Sequence, residues 1–228
     1  MRKAAALLFT LGLLFLLSVM FLRFELGQAP MRIGKDILAA APEQVGAANI
    51  VTSVVLGYRG LDTLGEIAIL FTAATATGLI LSGLGGGQRR DPEGGFILRH
   101  GADLVFPFLM LVGMYIVVHG HLTPGGGFQG GVVLAAAFFL PLLARPSRAV
   151  SHSALGWIEG LAGASFIVIG LWALTLDQAF MTPWLHQGVL GELFSAGTLP
   201  LLYLALGLKV GAELASLLAH LAEVEASE

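Results

Sequence analysis

The chain of 228 residues is strongly apolar: 56% of its side chains are hydrophobic and only 12% are charged. Soluble domains are about 45–50% apolar and about 25% charged, so this composition excludes an ordinary soluble enzyme and a disordered chain. The net charge of −3 supplies no basic field for phosphates, and we expect no nucleic-acid partner. The lack of cysteine excludes disulfides, thiolate metal sites and iron–sulfur ligation.

Six apolar stretches approach the roughly 20 residues that a helix needs to cross a bilayer. They cover residues 4–22, 61–84, 103–118, 128–144, 154–176 and about 198–219. The first follows Met1, Arg2 and Lys3 and resembles a signal peptide, but the missing cleavage pattern favours a retained span. Residues 47–58 are apolar but too short to cross, which predicts a re-entrant or interfacial helix, or a buried half-helix. We therefore predict an all-α integral membrane protein with about six transmembrane helices and one short helix.

The basic residues of the loops predict the orientation, because Lys and Arg collect on the cytoplasmic side. If residues 47–58 do not cross, one side holds Arg2, Lys3, Arg89, Arg90, Arg99, Arg145 and Arg148, and the other holds Arg23, Arg32 and Lys35. This bias places both termini in the cytoplasm of a multi-pass protein of the cell (inner) membrane. The polar, glycine-rich stretch 85–95 predicts a linker between a two-span module, residues 1–88, and a four-span module, residues 89–228.

Lys209 is the clearest ionisable side chain inside a predicted span. It lies about 11 residues into the sixth span, roughly 16 Å deep at 1.5 Å per residue. Glu213 follows one turn later on the same face and can pair with it. Because such residues are costly in lipid and mark ion routes, a proton or cation relay and a structural ion pair are both open interpretations.

Two further acidic positions are candidates for a proton or ion path. Asp62 and Glu66 point the same way on the second span, and burial together with mutual repulsion favours their protonated forms; alternatively, Arg59 neutralises Asp62 in a static network. Glu159 lies about one turn inside the fifth span, where it could act in a relay or cap the helix start. The GxxxG spacing of Gly156 and Gly160 predicts close packing of that face, and Gly207 and Gly211 repeat this spacing around Lys209.

The segment between the third and fourth spans is rich in glycine. It contains His119 and His121 and a loop motif made of Pro124, Gly125, Gly126, Gly127, Phe128, Gly130 and Gly131. Its formal G-x-G-x-x-G spacing does not indicate a dinucleotide site, because an apolar helix precedes it where that fingerprint needs a strand. The glycines predict a tight hairpin with close backbone approach. The two histidines are either proton-shuttling groups or satisfied interfacial residues.

The residues give no catalytic constellation: HExxH, GxSxG and Cys/His clusters are missing from the sequence. We therefore predict no enzymatic activity, no cofactor and no metal site.

The stretch "VGMYIVVHGHLTPGGGFQGGVVLAAAFF" resembles the signature of the MnhB (MrpB) family, one of the subunits of the Mrp (Mnh) multisubunit cation/proton antiporter, over about residues 96–219. The stretch "NIVTSVVLGYRGLDTLGEIAILFTA", residues 49–73, resembles a second family. That family is the C-terminal part of the MnhA (MrpA) subunit of the antiporter and the corresponding small subunit of membrane-bound hydrogenase and sulfane-reductase complexes. The chain is thus similar to a fusion of two neighbouring subunits that lacks the large antiporter domain of MnhA.

The resemblance implies a non-catalytic membrane subunit that helps to conduct H⁺ or Na⁺ beside other membrane subunits in the lipid bilayer. Such a subunit belongs either to an Mrp antiporter or to a redox-driven complex with an Mrp-like module. Glu66 matches the carboxylate of the family's Gly-Glu motif, and His121 and residues 124–127 match its loop motif. Lys209 and Glu213 rest on the span argument alone.

Overall fold

The described part of the chain is helical, with turns and loops but no strands. A computed structural model describes residues 2–23, 32–83, 93–146 and 150–225. The helices are α1 (Arg2–Arg23), α2 (Arg32–Val45), α3 (Ile50–Thr52, continued by a π-helical turn, Ser53–Tyr58), α4 (Gly60–Gly83), α5 (Phe96–Val118), α6 (Gly127–Ala144), α7 (His152–Trp172, continued by a 3₁₀ turn, Ala173–Leu176) and α8 (Leu199–Glu225).

The all-α membrane fold predicted from the sequence is confirmed. Helices α4 to α8 are each long and apolar enough to cross a bilayer, and the described part of α1 adds a shorter apolar helix, Leu7–Arg23. The short apolar segment forms α3 and its π-helical turn. Asn49 caps the start of α3, because its side-chain oxygen accepts from the Val51 N–H. Helix α5 starts at Phe96 rather than at residue 103, and its polar first turns include Arg99, which pairs with Glu93.

Helix α2 was not predicted. Charged residues are spread over its first turns, and Pro42 lies inside it, so neither length nor apolarity marked it as a helix. Ala41 and Val45 at its end are buried, which shows that tertiary packing stabilises this end.

The described chain forms two compact units, residues 1–37 and residues 38–228. The first unit contains α1, whose apolar side chains from Leu7 onward are exposed. The second unit contains α3 to α8. The predicted linker, residues 85–95, falls mostly outside the described residues, as do Arg89, Arg90 and Arg148, and the division into modules 1–88 and 89–228 stays a prediction.

Helix α8 is the centre of the second unit. It packs against α6, α7 and α4. In its most apolar membrane-span stretch 61% of the residues are buried, against 6% in that of α4. Its contact with α6 is close because both helices carry glycine: a Cβ on Gly131 would lie 3.0 Å from the Gly207 carbonyl oxygen. The predicted close packing at Gly207 is confirmed, since a Cβ there would lie 2.6 Å from Val117 Cγ2.

The two ends of this bundle differ. At the loop end, three segments meet: residues 49–59, residues 119–126 and the long connection 177–198. At the basic end, α5 and α7 begin and α6 and α8 finish, near Arg99 and Arg145. Lys209 and Glu213 of α8 lie between these two ends.

Candidate functional site

A charged cluster lies in the middle of α8. The Lys209 ammonium donates to Glu213 Oε2 at 3.2 Å and to Glu159 Oε1 of α7 at 3.3 Å. The same nitrogen lies 4.8 Å from the ring centroid of Phe71 on α4, a cation–π distance. The i,i+4 pairing predicted for Lys209 and Glu213 is present. Lys209 thus contacts side chains of α4, of α7 and of its own helix, α8.

Lys209 and Glu213 are buried, Glu159 is partly exposed, and the charges of the three side chains do not balance. The side chains of Lys209, Glu213 and Glu159 are 8%, 2% and 18% exposed. With both carboxylates ionised, two negative charges face one positive charge. Glu213 Oε1 is buried and has no hydrogen-bond partner among the described residues. Burying an uncompensated charge is costly, so the free oxygen is a place for a proton or a small cation.

Two clefts flank the cluster, and Glu159 lines both. The polar cleft, of about 270 Å³, runs between α4 and α8 and is lined by Thr75, Glu159, Glu213, Ser216 and His220 together with small and apolar residues of α4 and α8. The apolar cleft, of about 290 Å³, is lined by Lys209 and Glu159 and otherwise by apolar side chains and glycine from α4 and α7. The cluster therefore separates a polar space from an apolar one.

The glycines of α7 differ in whether they contact this site. A Cβ on Gly163 would lie 3.2 Å from Lys209 Cδ, so this glycine makes room for the lysine stem. Gly156 and Gly160, whose spacing predicts close packing, have nothing within 4 Å of an added Cβ in this chain. Their face of α7 is open along the described residues.

Asp62 and Glu66 are not brought into the cluster. Asp62 pairs with Arg59 at 2.5 Å on an exposed surface, which is the alternative that the sequence left open. Glu66 is exposed and has no hydrogen bond or ion pair among the described residues, and it lines neither cleft. Its role in an ion path stays a prediction.

The glycine loop is tied to α3 by neutral hydrogen bonds. The Gly120 carbonyl accepts from Asn49 Nδ2 at 2.8 Å and from Thr52 Oγ1 at 2.5 Å. Asn49 Nδ2 also donates to the Thr123 carbonyl at 2.9 Å. Tyr203 of α8 donates to Thr52 Oγ1 at 2.7 Å. The segment that resembles one subunit family thus holds the loop that resembles the other.

The loop glycines allow backbone and helices to approach closely. Gly126 has φ +131°, and a Cβ there would lie 2.7 Å from the Tyr203 ring. On α6, an added Cβ at Gly127 would clash with Leu206, one at Gly130 with Val117, and one at Gly131 with Val210. Of the other motif residues, Pro124 is exposed, Gly125 has φ +156°, and Phe128 packs against the buried core. The predicted tight hairpin is present, and its glycines serve packing.

The two histidines of the loop differ in burial. His121 is fully buried, its Nε2–H donates to the Leu193 carbonyl at 3.1 Å, and its Nδ1 has no partner among the described residues. Burial lowers the pKa of His121, so its ring is neutral at pH 7. His119 stacks on the Tyr115 ring, and its Nδ1–H donates to the Tyr115 carbonyl at 3.0 Å. Neither histidine is hydrogen-bonded to the Lys209 cluster in the described structure, and their predicted role in a proton path stays untested.

His220 is a site residue that the sequence analysis missed. It lies two turns beyond Glu213 on the same face of α8 and lines the polar cleft. The spacing of Lys209, Glu213, Ser216 and His220 is the signal that could have found it. Within the described ranges, no group of three or more His, Asp or Glu side chains is placed to hold a metal ion.

Comparison with known proteins places the chain in a family. The family described as "Domain related to MnhB subunit of Na+/H+ antiporter" matches residues 97–216. The putative antiporter subunit mnhB2 of Staphylococcus haemolyticus is 31% identical over 107 residues, which cover 44% of this chain and 76% of that protein.

Two solved structures share the fold over almost the whole chain. A chain of the membrane-bound sulfane sulfur reductase, an archaeal respiratory membrane complex, is 39% identical with a TM-score of 0.79, covering 96% of this chain and 97% of that one. A chain of the Mrp complex from Dietzia sp. DQ12-45-1b is 26% identical with a TM-score of 0.71, covering 96% of this chain and 25% of that one. The chain is therefore a multi-pass membrane protein that belongs to the family of domains related to the MnhB subunit of the Na⁺/H⁺ antiporter.

Proposed function

We propose that this chain is a non-enzymatic membrane subunit of a multisubunit cation/proton antiporter and contributes to the ion path and to assembly. Its family relatives are antiporter subunits, which supports a role in Na⁺/H⁺ exchange beside partner subunits. The Lys209 cluster is the part of this chain that we assign to the ion path.

The observation that carries the proposal is the unbalanced charge at Glu213. A buried ion pair alone would need one carboxylate, but Lys209 faces two, and one oxygen of Glu213 is left over. Binding of one proton or one monovalent cation at that oxygen balances the charge. Ionisable groups inside membrane helices commonly mark ion routes for this reason.

Lys209 gives the cluster two states. A proton on Glu213 weakens its attraction for the ammonium, which then stays with Glu159. When the proton leaves, the ammonium is again shared between the carboxylates at about 3.2–3.3 Å. Because the flexible lysine stem can carry the ammonium from one carboxylate toward the other, the cluster can pass a charge without helix movement.

Glu66 and the loop histidines take supporting roles in this proposal. An exposed carboxylate on a spanning helix is costly against lipid, so we assign the face of α4 around Glu66 to contact with a partner subunit, where it continues the path. His119, His121 and the loop motif hold α5, α6 and α8 in register. Asp62, paired with Arg59, anchors the start of α4.

Two predictions from the sequence enter this proposal unchanged. The basic end faces the cytoplasm, as the Lys and Arg bias indicates. The chain combines two modules, residues 1–88 and 89–228; in support, the family match begins at residue 97.

A redox-driven, ion-pumping respiratory complex is the second candidate assembly. The likeness to a chain of the sulfane sulfur reductase, at 39% identity over 97% of that chain, favours it specifically. The role of the Lys209 cluster is the same in both assemblies, and only the partner that supplies the driving force differs.

The test compares transport with assembly in Glu213→Gln and Glu66→Gln. The native complex carrying each variant is incorporated in vesicles, and the Na⁺-dependent collapse of a proton gradient is measured at equal amounts of complex. We expect Glu213→Gln to reduce exchange at least about tenfold, since it removes the proton-binding oxygen, while the yield of complex stays near wild type. Normal exchange, or lost exchange that only follows lost complex, would show a structural role.

A further inference from the structure

The polar residues of α8 continue from the charged cluster toward the basic end. Lys209, Glu213, Ser216 and His220 follow each other at spacings of four, three and four residues, which places them along one face of the helix. Helix α4 contributes Thr75 and α7 contributes Glu159 to the same cleft. Polar groups of α8 therefore line this cleft from Glu213, the partner of Lys209, to His220 near the end of the helix.

The cleft beside this path is suited to water. Its volume of about 270 Å³ exceeds by far the roughly 30 Å³ that one water occupies in the liquid, and a water in a protein needs two to four polar partners. The carboxylate, hydroxyl and imidazole side chains that line the cleft supply such partners. The apolar cleft on the other side of the cluster has a similar volume, about 290 Å³, but offers almost only carbon atoms.

A histidine pair lies at the outer end of the cleft. The ring centroids of His220 and His152 are 4.4 Å apart, so His152, at the start of α7, brings a second imidazole to the end of α8. His220 Nδ1–H donates to the Ser216 carbonyl at 2.8 Å, which leaves Nε2 to accept a proton.

We propose that the polar cleft is a water-filled proton entrance and that His220, with His152, loads Glu213 with protons from the basic end. The inference rests on the proposed role of the Lys209 cluster and adds its connection to the aqueous phase. The titratable groups that face the cleft in the described structure are Glu159 and Glu213, together with His220. Helix α4 adds only the Thr75 hydroxyl there.

The proton step is a transfer between bases, and no other bond changes. The proton leaves His220 Nε2, passes through water in the cleft and binds Glu213 Oε1, while bulk solvent or His152 protonates His220 again. Seven residues of helix separate the two groups, about 10 Å along the axis, which is too far for direct transfer. The route therefore depends on water in the cleft.

The first experiment tests hydration without reference to transport. The chain has no cysteine, so single cysteines can be introduced without background from this chain in the full complex. Thr75→Cys lies in the polar cleft, and Ala76→Cys is its matched control, one residue further on α4 and outside the cleft. A thiol reacts as the thiolate, which forms readily only where water reaches it.

We expect a membrane-impermeant methanethiosulfonate reagent, added at the basic end, to label Thr75→Cys about tenfold or more faster than Ala76→Cys. Labelling of Ser216→Cys should follow Thr75→Cys. Equal, slow labelling of all three would overturn the entrance whatever the transport activity. Fast labelling of the cleft together with normal exchange in Glu213→Gln would instead overturn the proposed function and leave the cleft hydrated.

The second experiment tests the histidine by chemical rescue. We expect His220→Ala to slow exchange about tenfold or more, and millimolar imidazole to restore most of it because the free base replaces the side chain in the cleft. Pyrazole, of similar size but hardly basic, should not restore it, and His100→Ala, at the basic end but outside the cleft, should exchange normally. Failure of imidazole to rescue a fully assembled His220→Ala complex would contradict proton loading by His220.

Discussion

Two regions of this molecule bury polar side chains and do so in opposite ways. At the loop end, Asn49 and Thr52 donate neutral hydrogen bonds to the Gly120 carbonyl at 2.8 and 2.5 Å, and Tyr203 donates to Thr52 Oγ1 at 2.7 Å. In the middle of α8, Lys209 faces two carboxylates, and one carboxylate oxygen has no partner in the described structure. The loop network contains dipoles only, whereas the cluster contains charges that do not cancel.

The difference shows how similar sequence signals acquire different roles. Neutral groups with complete hydrogen bonds gain nothing from a proton, so they fix one arrangement of the backbone. Charged groups whose hydrogen bonds are incomplete, and which lie beside a cleft, change in electrostatic energy with every proton or cation that binds. The sequence left a proton-path role open both for the histidines of the loop and for Lys209 and Glu213, and the geometry favours the second region as the place where charge moves.

The largest effect should come from breaking the charged cluster. Lys209→Met leaves the buried Glu213 and the partly exposed Glu159 without their cation, and we expect a loss of about 3 kcal/mol or more in unfolding free energy, with lost exchange. The double variant Lys209→Met/Glu213→Leu should recover most of the stability but none of the exchange, which denaturant unfolding in detergent and vesicle assays can measure. Wild-type stability of the single variant would mean that the pairs are not formed.

A side chain at Gly126 should break the loop region almost as severely. An added Cβ would meet the Tyr203 ring at 2.7 Å, and the φ of +131° disfavours any side chain. We expect Gly126→Ala to lower the unfolding free energy by about 2 kcal/mol or more. Gly101→Ala, with nothing within 4 Å of its Cβ, is the control and should be near neutral; equal stability of the two variants would rule out the close approach.

Loss of the Asn49 amide should loosen the loop without stopping its folding. Asn49→Ala removes the donors to the Gly120 and Thr123 carbonyls, and we expect the unfolding free energy to fall by about 1–3 kcal/mol. Hydrogen exchange of residues 119–126 should accelerate, while exchange within α7 stays unchanged. Tyr203→Phe, which removes one donor to Thr52, should also lower the unfolding free energy and accelerate the exchange of the loop, but by less. Unaltered loop protection in Asn49→Ala would contradict the network.

The smallest expected effect is the pH dependence of the loop. Burial lowers the pKa of His121 below its ordinary value of 6.5, so the unfolded chain binds this proton at a higher pH than the folded chain. Stability is therefore full above about pH 6.5 and falls as the pH drops below it. His121→Gln, which keeps a donor toward Leu193, should flatten this dependence in thermal unfolding between pH 7.5 and 5.5; an unchanged slope would assign the dependence to other groups.

The sequence predicted those features that depend on length and local spacing. Apolar length located the spans because the bilayer sets it, and the i,i+4 spacing placed Glu213 beside Lys209. Glu159 was recognised as an ionisable group in a span, but its contact with Lys209 joins residues 50 positions apart, which no local pattern encodes. Helix α2 was missed because its first turns are charged, and its buried end depends on packing against the rest of the chain.

The binding of a proton by Glu213 is the most direct test of this account. Infrared difference spectra of the complex, recorded between low and high Na⁺ at constant pH, report the carbonyl band of a protonated carboxyl group. We predict such a band in the wild type and in Glu66→Gln, and its loss in Glu213→Gln. A band that persists in Glu213→Gln, or spectra in which no carboxyl group changes its protonation, would contradict the assignment of the ion path to the Lys209 cluster.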